Sequence, residues 1–266
     1  MYRINLKASQ LGALLGCVNP TVQSRELHAL YVNAGLIAKP TNTNNNHKHT
    51  QHFDVSHLHA GQFRDKCRIA RQQLCGDEDY MLVNDNCAYA SFVSKHSCLY
   101  GKWGERKFLE YFKTVHPTGT PITNKQQEYF KMLHKVPSIN IFFGLVGRVD
   151  GIRNDNEVIE VKFRRFEIQE ELSMRDLIQV HVYMWLSETQ RAAVYQCMST
   201  TGDDLYIEKQ TVIFDTLLWR QIEQGIQRCF SFTEELFGNP MTQQMFKALS
   251  VDEQHRTIEQ HFKYQI

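Results

Sequence analysis

The chain has 266 residues, 42% of them hydrophobic, enough to bury a substantial core within one globular domain that carries embellishments. A formal net charge of +1 gives no global basic field, so any hold on nucleic acid must come from local patches or from a metal bridging to phosphate. The seven cysteines are odd in number and none stand as Cys-x-x-Cys, which excludes a zinc ribbon or an iron–sulfur cysteine cluster and suits reduced, mostly core thiols. No secretory signal and no bilayer-spanning apolar run is visible, so the expectation is a soluble intracellular protein with no membrane partner.

In chain order, 5–17 and 20–37 read as helices, opening on small or polar residues and carrying leucines at helical spacing. Lys39-Pro40-Thr41-Asn42-Thr43-Asn44-Asn45-Asn46 is a low-complexity polar stretch that predicts a loop. It runs into His47, His49, His52, His57 and His59, which without a paired carboxylate or cysteine scheme read as a polar loop before a transition-metal site. Helical signals return at 60–75 and 87–115, and Pro117-Thr118-Gly119-Thr120-Pro121 marks a turn. Ile141–Asp150 and Val158–Phe163 are rich in β-branched and aromatic residues and read as strands; Arg153-Asn154-Asp155-Asn156-Glu157 between them predicts a β-hairpin. Helix 170–187 follows, then 191–198 and 204–214 alternate as further strands of the same sheet. From Asp215 the chain reads as two or three helices broken at Gly238-Asn239-Pro240. No internal repeat or domain boundary stands out. The fold class expected is α/β, one domain over 1–266: a helical N-terminal part (1–97, with the polar His/Asn-rich loop 39–59), a core of central mixed β-sheet flanked by helices (98–214), and C-terminal helices (215–266).

Chemistry concentrates in Val149-Asp150-Gly151 and Glu160-Val161-Lys162. Residues two apart on a strand share a face, so Glu160 and Lys162 project together while Ile159 and Val161 face away. With Asp150 at the end of the preceding strand, two carboxylates, a backbone carbonyl and waters form the oxygen-rich shell preferred by Mg²⁺ or Mn²⁺. Taken alone, such a motif is more commonly a turn and a solvated strand face. Two further segments shift that balance. Gln179 and Tyr183 are four apart on an amphipathic helix and share a face, in either a functional or a packing role. Gly101 to Phe112 reads as a helix with Glu105 in its first turn. Basic clusters occur at Arg64, Lys66, Arg68 and Arg71, at Lys102, Arg106 and Lys107, and at Lys162, Arg164 and Arg165; a solvated face explains the first two as well as a binding role does.

These motifs resemble the PD-(D/E)XK nuclease superfamily. The Asp150 to Glu160-Val161-Lys162 spacing, the Gly101-x-x-x-Glu105 helix and Gln179-Val180-His181 look like the λ exonuclease and viral alkaline nuclease branch, and Gln179-x-x-x-Tyr183 is similar to RecB-like nucleases. The resemblance implies a restriction-endonuclease-like core. It implies one or two Mg²⁺ (or Mn²⁺) ions held by Glu105, Asp150, Glu160 and the Val161 carbonyl, with Lys162 catalytic and Gln179 and Tyr183 supporting it. Lys7-Ala8-Ser9-Gln10-Leu11 looks like the helix start whose serine contacts a terminal 5′ phosphate, here Ser9, and Arg3 is the nearest arginine, one position from where the branch carries its phosphate-binding arginine. Arg164 and Arg165 adjoin the site and are expected to bind DNA phosphate. The implied activity is 5′-to-3′ exonucleolytic hydrolysis of linear duplex DNA in recombination, repair or viral genome processing, with a single-strand annealing or recombination protein as partner and a homo-oligomeric ring trimer as assembly. The implied compartment is the cytoplasm, or the host nucleus if viral. The RecB-like feature leaves open a single-strand exonuclease or a structure-specific endonuclease, and a non-catalytic nucleic-acid-binding protein is a further reading.

Overall fold

A computed structural model of the protein describes residues 2–17, 19–39, 66–67, 87–115, 122–123, 127–136, 140–164, 167–199 and 205–263. In chain order the elements are β1 (Tyr2–Lys7), α1 (Ala8–Leu14), α2 (Pro20–Asn33), α3 (Cys87–Val115), β2 (Ile122–Thr123), β3 (Glu128–Val136), β4 (Ile141–Arg148), β5 (Gly151–Arg153) and β6 (Glu157–Phe163). They continue with α4 (Met174–Ser187), β7 (Arg191–Ser199), β8 (Leu205–Ile213), α5 (Thr216–Phe237), α6 (Pro240–Ala248) and α7 (Val251–Lys263). The fold class is α/β, with mixed sheets flanked by helices, as the sequence implies.

Among the described residues the strands form two hydrogen-bonded sheets rather than the one central sheet expected, in the orders β1-β4-β3 and β2-β5-β6-β7-β8. In the first, β1 runs parallel and β3 antiparallel to β4; in the second, β6 and β7 are parallel and the other neighbours antiparallel. The chain leaves the first sheet at Arg148, bends at Val149–Asp150 and enters the second at Gly151. This corrects the expected hairpin: β4 does not pair with β6. The hairpin is β5–β6, with Gly151 opposite Ile159, Arg153 opposite Glu157, and Asn156 at φ 63° in the turn. Asn tolerates that left-handed conformation through its short polar side chain.

The N-terminal strand is a second correction. Residues 5–7, read as the start of a helix, end β1, where Ile4 and Leu6 are buried and Arg3 and Lys7 exposed, the alternation of a half-buried strand. α2 stops at Asn33, short of the expected 37, and Gly35 follows it at φ 75°, a conformation glycine adopts without steric cost. α3 runs through 87–115 as expected, whereas of segment 60–75 only 66–67 are described. Asn239 accepts a hydrogen bond from the Met241 N–H and Pro240 opens α6, which accounts for the helix break read at Gly238-Asn239-Pro240.

Two buried layers position the cleft. One core joins β1 and β4 to α1, α4 and the C-terminal helices through Leu6, Leu11, Leu145, Val180 and Ile226. The other face of β6 and β7 is sealed by α3, where Ile159, Val161 and Ala193 meet Phe108 and Phe112. Each of the larger apolar side chains contributes about 1.5–3 kcal/mol by leaving water. α3 approaches β6 closely at Gly104, where an added Cβ would fall within the Phe163 ring. No helix among the described residues is long and apolar enough to cross a membrane.

Candidate active site

The strand period places the β6 residues as the sequence implies: Ile159 and Val161 pack under α3, and Glu160 and Lys162 face a cleft of about 860 Å³. Asp150 lies at the bend between the two sheets, and its Oδ2 accepts the Val161 N–H at 2.7 Å. One backbone amide thereby fixes the aspartate to the strand that carries Glu160 and Lys162. The Lys162 ammonium lies 2.8 Å from Glu160 Oε1 and donates to Gln179 Oε1 at 2.7 Å. Gln179 Nε2 donates to Glu160 Oε1 at 3.0 Å and to Tyr183 Oη at 2.8 Å. Both amide hydrogens are committed to oxygens, so the amide oxygen must turn to the lysine. The helical spacing of Gln179 and Tyr183 therefore acts through a direct bond.

Charge is crowded here. Burial, followed by repulsion from Glu160 and Glu105, pushes the Asp150 carboxyl well above the usual carboxylate range, against the bond from Val161 N–H. Glu105 is raised for the same reasons, burial first and then Glu160. Burial alone would lower Lys162, but Glu160 and Asp176 outweigh it and hold the ammonium protonated. Burial raises Tyr183, which stays a neutral phenol.

The carboxylates of Glu105, Asp150 and Glu160 all line the cleft, and oxygen donors of this kind are those Mg²⁺ and Mn²⁺ take. In the arrangement present Asp150 is turned to the Val161 amide and Glu160 to Lys162 and Gln179. Among the described residues no three His, Cys, Asp or Glu side chains are grouped so that they could hold a metal ion in this arrangement. Mg²⁺ keeps several waters and needs only one or two carboxylates, so an open carboxylate cluster fits it.

The remaining expected residues divide. Glu105 lines the cleft, but from the middle of α3 and not from a first turn, because the helix begins at Cys87. Ser9 and Arg3 line it as well; the Ser9 carbonyl accepts from Arg175 Nη2 at 3.2 Å, and Arg3 donates to Asn5 Oδ1 at 2.9 Å with its guanidinium 4.3 Å from the Phe130 ring centroid. Arg164 reaches the cleft with its guanidinium engaged, by Asp176 Oδ2 at 3.0 Å and Gln196 Oε1 at 2.7 Å. Arg165, the histidine-rich segment 47–59, Arg64, Arg68 and Arg71 lie outside the described residues. Of the thiols described, Cys197 and Cys229 are core and Cys17 is exposed.

Sequence reasoning missed Asp176, Arg148, Arg175 and Lys7, all of which line the cleft. Asp176 had a signal: Ser173-x-x-Asp176 before an apolar run is a capping-box pattern, and Ser173 does cap α4 by accepting the Asp176 N–H at 3.2 Å. Its ion pairs with Lys162 and Arg164 depend on β6 passing that helix end, which no local pattern reveals.

No protein-family model matches the chain, and no curated protein does. Among solved structures it is similar to an alkaline exonuclease from Laribacter hongkongensis, at TM-score 0.47 and 12% identity over 88% of this chain and 89% of that one. A structure of that exonuclease in complex with dAMP gives TM-score 0.44 and 10% identity over 87% and 89%. A phage-related exonuclease from Haemophilus somnus 129PT gives TM-score 0.43 and 11% identity over 88% and 96%.

Proposed function

We propose that the protein is a metal-dependent nuclease that hydrolyses DNA phosphodiester bonds, acting as an exonuclease on linear duplex ends in the 5′-to-3′ direction. The observation that carries the reading is the bonded set Asp150–Val161, Glu160–Lys162–Gln179–Tyr183, with Glu105 lining the same cleft. A divalent cation, Mg²⁺ or Mn²⁺, as one ion or two, supplies an activated water and offsets charge on the phosphate when bound. Glu105, Asp150, Glu160 and the Val161 carbonyl are the groups that would hold it.

Lys162, kept cationic by its carboxylate neighbours, orients the attacking water and stabilises negative charge developing on the phosphate oxygens. Gln179 holds the ammonium in place, and Tyr183, by accepting an amide hydrogen, holds Gln179 in the required orientation. Arg3, Lys7, Arg148 and Arg175 give the cleft a cationic rim suited to a phosphate backbone. Direction, duplex preference and a role in recombination, repair or viral genome processing rest on the motif resemblance. The Gln179–Tyr183 bond favours a second reading, a RecB-like single-strand exonuclease or structure-specific endonuclease.

Incubation of linear and covalently closed circular duplex DNA with the purified protein and Mg²⁺ separates these readings. Shortening of the linear form with circles intact is the expected result. Cleavage of circles would favour the endonuclease, and no hydrolysis of either duplex would leave the single-strand exonuclease or a binding protein, which linear single-stranded DNA then tells apart.

A further inference from the structure

The nuclease motif does not include Asp176, yet this residue is the second carboxylate beside Lys162. It is 7% exposed, near the start of α4, and its Oδ1 lies 3.5 Å from Lys162 Nζ. Its Oδ2 accepts from Arg164 Nη2 at 3.0 Å and from Ser173 Oγ at 2.7 Å. Arg164 is fixed in turn: its Nε donates at 2.7 Å to Oε1 of the fully buried Gln196, whose Nε2 donates at 2.7 Å to the Gln169 carbonyl. The carboxylate beside Lys162 thus rests on a frame built from β6, β7 and the start of α4.

Glu160 has two claims on it. It receives hydrogen bonds from both Lys162 and Gln179 through Oε1, and it is also a candidate to hold a cation. A carboxylate drawn toward a cation loosens its hold on an ammonium, and a lysine head on a flexible four-carbon stem then needs another fixed partner. Asp176 is placed to be that partner, because Arg164 and Ser173 hold it back from the carboxylate cluster.

Resting on the nuclease reading above, we infer that Asp176 is a positioning residue for Lys162, keeping the ammonium against Gln179 while Glu160 serves the cation. A capping role for α4 alone would make Asp176 matter to stability and leave turnover untouched.

Asp176→Asn keeps the size and a hydrogen-bond acceptor for Ser173 while removing the charge. At saturating DNA and Mg²⁺ its kcat is expected to fall about tenfold, with KM for DNA within about twofold, as for a group displaced by a fraction of an ångström. Asp176→Glu is expected to restore part of the loss. A crystal structure of the Asn variant with Mg²⁺ is expected to show Lys162 Nζ out of hydrogen-bond range of Gln179. Unchanged kcat with a lowered melting temperature would overturn the inference in favour of a cap, and so would Lys162 remaining in its wild-type place in the crystal. A wild-type protein that hydrolyses no DNA would remove the nuclease reading, and the position of Lys162 in the variant crystal would still decide the inference.

Discussion

Asp150→Asn should stabilise the protein in the absence of divalent cations. The wild-type carboxyl is raised by burial and by Glu160 and Glu105, so its charged form is costly in the metal-free fold. A carboxyl whose folded pKa lies above its unfolded value binds its proton more tightly when folded. Its favourable contribution is present at low pH and is lost as pH rises from the ordinary carboxylate range through the folded value. Asn lacks that charge and can still accept the Val161 N–H through its amide oxygen, so the 2.7 Å bond need not be lost. Relieving a strained functional group typically yields about 0.5–2 kcal/mol, which for a chain of this size raises the melting temperature by about 1–8 °C. Thermal melts in EDTA at about pH 8 should show that rise, shrinking as the pH is lowered toward about 5. Saturating Mg²⁺ should reverse the order, since wild type gains about 2.7 kcal/mol at a hundredfold excess over Kd and the variant gains less. A variant that melts below wild type in EDTA at pH 8 would refute the reasoning and make Asp150 a structural residue that holds the β4–β5 bend.

Gln179→Ala removes the partner of Lys162 and Tyr183, so kcat should fall about 10²-fold under saturating DNA in steady-state assays, with the fold retained by circular dichroism. Tyr183→Phe removes only the oxygen that accepts the Gln179 amide hydrogen; melting curves should show a loss of about 1 kcal/mol, with activity reduced far less than in Gln179→Ala. Gly104→Ala forces a methyl into the Phe163 ring at the α3–β6 contact and should cost about 1–3 kcal/mol by denaturant titration, with reduced activity because Glu105 is the next residue on that helix.

The parts of the site that depend on local periodicity could be read from the sequence. A strand period of two puts Glu160 beside Lys162, and a helical period puts Gln179 over Tyr183, whatever the rest of the chain does. Pairing between strands could not be read the same way. β5 has only three residues, too few to carry a period, so the break between β4 and β5 was hidden inside one apparent strand and the two sheets merged into one. β1 is hidden because it runs directly into the apolar helix Ala8–Leu14, whose leucines carry the helical reading back over residues 5–7. Reading a helix from Gly101 on the Gly101-x-x-x-Glu105 pattern puts Glu105 in a first turn. The structure instead uses Gly104 for close approach to Phe163 within a long helix. Arg164 looked free to meet phosphate, yet its partners Asp176 and Gln196 come from segments that only the tertiary fold brings to it.

The most direct test of the nuclease reading uses linear duplex DNA labelled at either the 5′ or the 3′ end, with Mg²⁺ or EDTA, comparing wild type and Lys162→Ala. Early Mg²⁺-dependent release of the 5′ label by wild type, abolished in a Lys162→Ala protein that remains folded, is the predicted result. Undiminished label release by Lys162→Ala would contradict the account, as would release that persists in EDTA.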